Sequence, residues 1–305
     1  MASRAGPRLA APGAWTRTNL PAMRLVTYAS DRGPRAGVQT DGGVIDAWDL
    51  IGDDGGSSLK ELIASDRLDE VRSAIDGGSG EAVALGSGGI LAPLPDPDKI
   101  ICIGLNYRAH AEETGADIPK APTIFAKYRN ALVPDGATVA LPAASRKVDY
   151  EAEVAFVIGR RASEVSVEDA LDHVAGYTLL NDLSARDLQG LTMQWMAGKV
   201  FDGAAPCGPA LITPDEAGPH DGIGIAMHVN GEQRQSSSTG DLIFSVPELI
   251  SILSTWMTLE PGDIISTGTP SGVGLAMNPR TWLADGDELV VSSPQLGELK
   301  TTISR

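Results

Sequence analysis

The stretch VDYEAEVAF, residues 148–156, places two glutamates one residue apart inside a run that otherwise has the character of a β-strand. Successive side chains of a strand point to opposite faces, so Glu151 and Glu153 should lie on the same face. Two like charges side by side on a sheet cost stability unless something neutralises them. Solvent at an exposed strand face is the ordinary explanation. The apolar residues that follow, from Val154 to Ile158, favour a buried strand and a specific counter-charge.

A third acid, Asp182, ends a second apolar run, AGYTLLND, residues 175–182. Three carboxylates that converge at strand ends match the oxygen ligands of a hard divalent cation, and Mg²⁺ also keeps positions open for water or substrate. Mn²⁺ accepts the same ligands. The sequence therefore predicts a Mg²⁺ or Mn²⁺ site formed by Glu151, Glu153 and Asp182.

The overall composition is that of a globular protein and excludes several classes of partner. The 305 residues are 42% hydrophobic and 21% charged, and 35 Gly with 20 Pro favour turns and sheet over a helical bundle. A net charge of -16 argues against binding to nucleic acid or an anionic membrane. No apolar run approaches the roughly 20 residues of a membrane-spanning helix, so we expect a soluble protein.

Two cysteines, Cys102 and Cys207, lie in apolar or Pro/Gly-rich surroundings and in no metal-binding motif. Buried free thiols in a reducing, cytoplasmic compartment are the favoured interpretation, and a structural disulfide is the alternative.

The chain divides into three regions. Residues 1–22 carry arginines and no acid but lack the apolar core of a secretory signal. They predict a disordered N-terminal extension, although an organelle transit peptide has a similar composition. Residues 23–97 combine short strands with two helix-like segments and end in a proline-rich connector, which predicts a small N-terminal α+β domain. Residues 98–305 form the larger domain.

Strand-like runs dominate the larger domain, and its helix candidates are few. The candidate helices are residues 107–114, 167–173 and 246–256. Many short strands with few helices predict an α+β, β-dominated fold built on a large curved sheet or barrel-like roll, not a doubly wound α/β fold. No G-x-G-x-x-G follows a strand, so a nucleotide cofactor is not expected.

The segment NYRAHAEE, residues 106–113, carries a candidate general base. If it begins a helix, His110 and Glu113 are three residues apart and share a face. A histidine oriented by a carboxylate can accept a proton from water near neutral pH. A surface histidine beside solvated acids is the alternative interpretation.

Further polar side chains lie in apolar company between residues 181 and 274. Arg186 suits bidentate recognition of a substrate carboxylate, Gln189 accompanies it, and Lys199 is suited to stabilising an enolate or oxyanion. The glycine-rich bend TGTPSGVG could bring Thr269 close to a ligand. A surface Arg186–Asp187 pair and a solvated lysine are the alternatives.

Six segments in this order resemble the fumarylacetoacetate hydrolase family from about residue 98 to the C-terminus. They are IICIGLNYRAHAEE, DYEAEVAFVIG, AGYTLLNDLSARDLQ, GKVFDGAAPCGPAL, VNGEQRQSSST and MTLEPGDIISTGTPSGVG. The resemblance implies the family's mixed β-roll, a homodimer, and Mg²⁺ or Mn²⁺ held by carboxylates. It also implies a small N-terminal domain like that of many bacterial members.

The same resemblance implies a role for each candidate residue. The metal ligands would be Glu151, Glu153 and Asp182; the water-activating dyad His110 and Glu113; and the substrate and transition-state contacts Arg186, Gln189, Lys199 and Thr269. The sequence departs mildly from the family at Gly203, Ala204 and Cys207, which leaves the pocket wall and the substrate open.

The resemblance implies an enzyme that acts on a small 2-oxo or diketo acid. We expect a metal-dependent hydrolase that cleaves a C–C bond in an acylpyruvate-like substrate through an enolate. The alternative is a decarboxylase or isomerase of oxaloacetate or 2-oxo-dienedioates that uses the same metal site. A non-catalytic binding protein on the same scaffold is a third interpretation, which the intact set of candidate residues disfavours.

Overall fold

The computed structural model describes residues 23–85 and 89–305, so the predicted extension at residues 1–22 lies outside the described residues. The strands, in chain order, are β1 Arg24–Ser30, β2 Gly33–Thr40, β3 Gly43–Asp46, β4 Ala82–Val83, β5 Ile90–Leu91, β6 Ile100–Gly104, β7 Thr123–Lys127, β8 Leu132–Val133, β9 Ala137–Ala140, β10 Val148–Asp149, β11 Ala152–Ile158, β12 Val174–Asn181, β13 Ser184–Ala185, β14 Ala205–Ile212, β15 Gly224–Val229, β16 Glu232–Ser238, β17 Ile264–Ser266, β18 Glu288–Ser293 and β19 Gly297–Ser304.

Helices are short and lie between the strands. The α-helices are α1 Ala47–Leu50, α2 Leu59–Ala64, α3 Leu68–Asp76, α4 Arg108–Thr114, α5 Arg186–Gln189, α6 Pro214–Ala217 and α7 Val246–Trp256. The 3₁₀ turns are Arg129–Ala131, Ala170–His173, Trp195–Gly198, Thr239–Asp241 and Gly274–Ala276. Within the described residues, no helix combines the length and the apolar character needed to cross a membrane.

Two of the helix predictions illustrate what local sequence can and cannot specify. Helix α7 begins as its sequence indicates, because Glu248 accepts hydrogen bonds from the backbone N–H and the hydroxyl of Ser245, at 2.8 and 2.6 Å. The helix expected at residues 167–173 is only a 3₁₀ turn. Its hydrogen bonds span three residues, as from Ala170 N–H to Val167 C=O, because the chain enters strand β12 immediately afterwards.

The described strands form two main sheets that carry the core. The larger sheet, of twelve strands, has the order β4, β3, β2, β1, β14, β12, β11, β17, β6, β7, with β5 added beside β1 and β8 beside β14. The smaller sheet has the order β16, β15, β18, β19, β9. This is the expected β-dominated α+β fold, and it is not doubly wound. Strands β7, β16 and β19 were not expected from the sequence.

Strand β1 connects the other N-terminal strands, β2 to β5, to the rest of the large sheet. It pairs with β2 along its whole length and with β14 over two residues, Arg24 opposite Ile212 and Leu25 opposite Leu211. The N-terminal strands therefore extend the large sheet. The division of the chain into domains at residues 97 and 98 stays a prediction.

The N-terminal strands also enclose a buried ion pair. The guanidinium of Arg35 donates two hydrogen bonds to the carboxylate of Asp46, with Nη2 2.8 Å from Oδ1, and the hydroxyl of Tyr28 donates a third at 2.6 Å. Burial alone would raise the pKa of Asp46, but these bonds outweigh it and the pKa is lowered. Asp46 also caps α1 through the backbone N–H groups of Trp48 and Asp49.

Strand β11, which contains part of the opening stretch, lies inside the large sheet between β12 and β17. All seven of its residues are buried, so both faces are covered. Glu153 is 1% exposed, and Glu151, immediately before the strand, is 6% exposed. The solvated strand face is therefore wrong as an explanation of the two glutamates, and their neutralisation must come from other side chains.

Candidate metal centre and active site

The three acids of the predicted metal site converge at one end of the β11–β12 pair. The two strands are antiparallel, with Ala152 opposite Asn181. Glu151 immediately precedes β11 and Asp182 immediately follows β12, so the two acids are neighbours at this end of the pair. The backbone N–H of Asp182 donates to the carbonyl of Glu151 at 2.8 Å. Each of Glu151, Glu153 and Asp182 offers a carboxylate oxygen, and these oxygens all lie within 4.8 Å of one another.

Cationic side chains neutralise two of these acids. Nζ of Lys199 lies 2.7 Å from Oε2 of Glu151 and 2.7 Å from Oδ2 of Asp182. Nη1 of Arg186 lies 2.7 Å from Oε1 of Glu151. Burial would raise the pKa of Glu151, but Arg186 and Lys199 outweigh it and hold that pKa well below its usual range. Burial would likewise lower the pKa of Lys199, but Asp182 and Glu151 raise it.

Glu153 is held differently from its neighbour. Its carboxylate accepts a hydrogen bond from the hydroxyl of Ser266 and another, at 3.2 Å, from the backbone N–H of Gly268. Burial first, and then the charges of Asp182 and Glu151, raise its pKa well above the usual value. The two glutamates of the opening stretch are therefore chemically distinct.

The donor chemistry of this cluster fits a hard divalent cation. The candidate ligands are carboxylates only, and they are buried together. Oxygen ligands of this kind suit Mg²⁺, Ca²⁺ and Mn²⁺ in preference to metals that favour sulfur or imidazole. A divalent cation among the three oxygens would also relieve the like-charge repulsion at Glu153. The residues present therefore fit the group that the family resemblance implies.

His110 and Glu113 lie on α4 at the edge of this cluster. Nδ1 of His110 is 3.2 Å from Oε2 of Glu113, and their side chains are 12% and 25% exposed. Glu113 also accepts a hydrogen bond from the backbone N–H of Gly272 at 2.9 Å. The glycine-rich bend therefore orients Glu113, which in turn orients the imidazole.

Arg186 forms ion pairs with Asp149 and Glu151 and not with its sequence neighbour Asp187. Its Nε and Nη2 lie 3.0 and 2.9 Å from Oδ2 of Asp149, and its Nη1 donates to Gln189 Oε1 at 3.1 Å. Asp187 instead accepts hydrogen bonds from the hydroxyl of Ser145 and from a backbone N–H. The surface Arg186–Asp187 pair is therefore wrong, and so is the solvated Lys199, whose side chain is 2% exposed.

Thr269 is fixed from two sides. Its hydroxyl donates to the carbonyl of Ala152 at 3.0 Å and accepts from Nε2 of Gln235 at 2.8 Å. The side-chain oxygen of Gln235 accepts from the backbone N–H of Ala152 at 2.9 Å. Gln235, which the sequence analysis did not single out, thus ties the glycine-rich bend to strand β11.

Lys127 is the main charged residue of the site that the sequence analysis missed. Its fully buried Nζ lies 2.8 Å from Oδ1 of Asp182 and donates to the carbonyls of Lys199 and Ala204, at 2.5 and 2.9 Å. It ends β7, a strand that was not expected. The available signal was a lysine closing the apolar run TIFAK, which is weak on its own.

These side chains surround a cavity of about 90 Å³. Of the nine residues predicted from the sequence, seven line it, and the other two, Glu113 and Asp182, contact lining residues. The remainder of the wall is apolar and consists of Ile103, Gly104, Leu105, Phe125 and Trp195. A cavity of this size is far smaller than the roughly 300–1,000 Å³ of a pocket for a drug-sized ligand.

Fold and site together define the class of the protein. A β-dominated α+β fold whose buried carboxylate triad borders a polar cavity with a His–Glu pair is an enzyme scaffold with a candidate divalent-metal site. Residues 99–304 match the family described as fumarylacetoacetate (FAA) hydrolase C-terminal, and the chain belongs to the fumarylacetoacetate hydrolase family. The family and the fold class expected from the sequence are both confirmed.

Relatives in this family catalyse several reactions. The mitochondrial oxaloacetate tautomerase fahd2 of Xenopus laevis is 38% identical over 288 residues, which cover 92% of this chain and 90% of that protein. The oxaloacetate tautomerase YisK of Bacillus subtilis is 46% identical over 216 residues, 70% of this chain and 72% of that protein. A crystal structure of maleylpyruvate hydrolase from Sphingobium sp. SYK-6, in complex with manganese(II) and pyruvate, superposes with a TM-score of 0.75 at 30% identity, over 92% of this chain and 99% of that one.

Proposed function

We propose that the protein is a divalent-metal-dependent tautomerase that interconverts the enol and keto forms of a small 2-oxo diacid such as oxaloacetate. The observation that carries this proposal is the cavity of about 90 Å³, beside the carboxylate triad, which Glu151, Glu153, Lys199, Arg186 and His110 line. It has room for a compact, doubly charged substrate and polar groups for both of its ends. The oxaloacetate tautomerases of Xenopus laevis and Bacillus subtilis described above support this choice.

The proposed roles of the side chains follow from their positions. When bound, Mg²⁺ or Mn²⁺ supplies Lewis-acid stabilisation to a 2-oxo acid. Lys199 places a positive charge at the site where negative charge develops on the substrate's C2 oxygen. Arg186 and Gln189 provide donors for the second carboxylate, for which Arg186 would exchange part of its contact with Glu151.

His110 is the proposed proton carrier. Its Nδ1 is engaged by Glu113, so Nε2 is the ring nitrogen available to the cavity. In the enol-to-keto direction a proton leaves the C2 hydroxyl and a proton is added at C3, and the two changes balance without any co-reactant. A histidine near neutral pH can donate or accept at C3.

Hydrolysis of a C–C bond in an acylpyruvate is the second candidate, and the sequence analysis placed it first. The His110–Glu113 pair favours it, because the same imidazole can take a proton from an attacking water. The maleylpyruvate hydrolase among the related structures also supports it. The tautomerases among the relatives are our reason for proposing proton transfer first. Decarboxylation of oxaloacetate or isomerisation of a 2-oxo-dienedioate would use the same enolate chemistry.

One set of assays separates these reactions. The purified protein, loaded with Mg²⁺ or Mn²⁺, is given oxaloacetate prepared as the enol, and the loss of enol absorbance is followed against a metal-only control. Pyruvate is measured in parallel with a coupled dehydrogenase, for oxaloacetate and for acetylpyruvate. Tautomerisation predicts rapid enol loss with no pyruvate. Pyruvate from acetylpyruvate would establish hydrolysis instead, and pyruvate from oxaloacetate would establish decarboxylation.

We also propose that the protein is a homodimer that acts in the cytoplasm. The family resemblance supports the dimer, and the two cysteines support a reducing compartment. Both thiols are buried and free, and burial raises the pKa of Cys207 to about 12. Light scattering after size-exclusion chromatography tests the dimer, and a monomeric mass would refute it.

A further inference from the structure

The apolar wall of the cavity contains one large side chain, Trp195, that the chemistry above does not use. The segment of residues 190–194 leaves α5, and the 3₁₀ turn Trp195–Gly198 then leads directly to Lys199. Trp195 therefore lies along the chain between α5, which contains Arg186 and Gln189, and Lys199. Trp195 is half-buried and lines the same cavity as the carboxylates of Glu151 and Glu153.

Neighbouring residues fix the indole in place. Its ring packs edge-on against Phe125, with ring centroids 5.7 Å apart and planes at 60°. Its six-membered ring also lies against the backbone of Gly104: a Cβ at that position would be only 2.3 Å from Cζ3. The end of strand β6 therefore has no side chain because the indole occupies that space.

The turn that carries Trp195 is itself tightly packed. A Cβ at Gly198 would lie 2.6 Å from the carbonyl of Ala185 and 2.6 Å from the backbone nitrogen of Gln189, so the turn and α5 touch through their backbones. The N–H of Lys199 closes the turn by donating to the carbonyl of Met196 at 2.9 Å. The backbone that carries the indole is therefore held against α5.

We propose that Trp195 is the specificity-determining residue that limits the length of the substrate. The inference rests on the proposed function, since it assumes a 2-oxo acid whose carboxylate end lies at the triad. A four-carbon diacid is compact enough for the cavity, whereas each further methylene group at the distal end meets the indole. In an apolar pocket, one methylene group is worth about 10- to 200-fold in discrimination.

The test is equilibrium binding of a homologous series of 2-oxo diacids, from the four-carbon oxaloacetate to the eight-carbon 2-oxosuberate, to the Mn²⁺-loaded protein by calorimetry. Binding is independent of turnover, so the result does not depend on which reaction the enzyme catalyses. The variants are Trp195→Ala, which removes the ring, and Trp195→Phe, which keeps an aromatic edge beside Phe125. Trp256→Ala is the matched control, because Trp256 ends α7, is 49% exposed and does not line the cavity.

For the wild type and Trp256→Ala, we expect affinity to fall at least tenfold between the short and the long acids. For Trp195→Ala, we expect the ratio of long-acid to short-acid affinity to rise at least tenfold over the wild-type ratio. For Trp195→Phe, we expect a ratio between those of the wild type and Trp195→Ala. If short acids bind the wild type and the length profile is the same in all variants, the inference is overturned and the proposed function stands. If no 2-oxo acid binds the wild type at any length, the proposed function is overturned, and the inference with it.

Discussion

Replacing Lys127 by methionine tests whether buried cations hold the acidic cluster together. Nζ of Lys127 contacts Asp182 at 2.8 Å and donates to the carbonyls of Lys199 and Ala204. Methionine fills a similar volume but satisfies none of these three acceptors. Removing one partner of a buried ion pair costs about 3–5 kcal/mol, because the remaining charge stays buried. We expect the free energy of unfolding to fall by about that amount.

The assay is thermal unfolding of the chelator-treated protein at neutral pH. For a chain of this length, 1 kcal/mol changes Tm by about 2 °C, so Lys127→Met should lower Tm by about 6–10 °C. Lys300→Met is the matched control: Nζ of Lys300 lies 3.1 Å from Glu298 on the surface, with both side chains more than half exposed. A surface pair contributes at most about 1 kcal/mol, so this Tm should change by no more than about 2 °C. Equal Tm changes in the two variants would refute the reasoning.

Three further predictions concern the metal site, the imidazole and the N-terminal ion pair. Glu153→Gln keeps the shape of the side chain but removes a carboxylate ligand. Mn²⁺ affinity measured by calorimetry should therefore fall by at least about 100-fold, and turnover should be lost. Activity that survives both this change and added chelator would contradict a role for the metal. His110→Ala should reduce kcat by about 10²- to 10⁴-fold while Mn²⁺ still binds, and an unchanged kcat would remove His110 from the mechanism. Asp46→Asn should lower stability by about 3 kcal/mol at neutral pH, because Arg35 stays buried and keeps only the partly exposed Asp49 as a counter-charge. Since the pKa of Asp46 is lowered in the folded state, this stabilisation is present above about pH 3.9 and is lost as the pH falls through the folded pKa. The Tm difference between wild type and Asp46→Asn should therefore shrink below about pH 4, and a difference that persists there would contradict the ion-pair explanation.

Local sequence patterns predicted the parts of the fold that local interactions specify. The helix expected at residues 246–256 is α7, and apolar runs predicted β11 and β12. Strand β16, with the sequence EQRQSSS, was missed because its polar composition does not distinguish a strand from a loop. Its strand form comes from pairing with β15, which is a tertiary interaction.

The same distinction applies to the candidate site. Residues that belong to recognisable segments, such as the triad and the His110–Glu113 pair, could be selected from the sequence, and their proposed roles stay predictions. Lys127 and Trp195 could not, because their importance lies in contacts with residues at least twenty positions away. One lysine in a short strand and one tryptophan in a loop carry no local signal of what they touch.

The two glutamates of VDYEAEVAF also show where the pattern argument was too simple. Strand alternation treats Glu151 and Glu153 as equivalent and suggests one shared counter-charge. In the folded protein Glu151 is neutralised by Arg186 and Lys199, whereas Glu153 relies on hydrogen bonds from the hydroxyl of Ser266 and a backbone N–H. Burial first, and then the repulsion of Asp182 and Glu151, therefore raise the pKa of Glu153. A bound divalent cation would interact most favourably with the carboxylate of Glu153, which has no cationic side chain among the described residues hydrogen-bonded to it. Glu153→Gln is therefore a more sensitive test of the metal site than any change at Glu151.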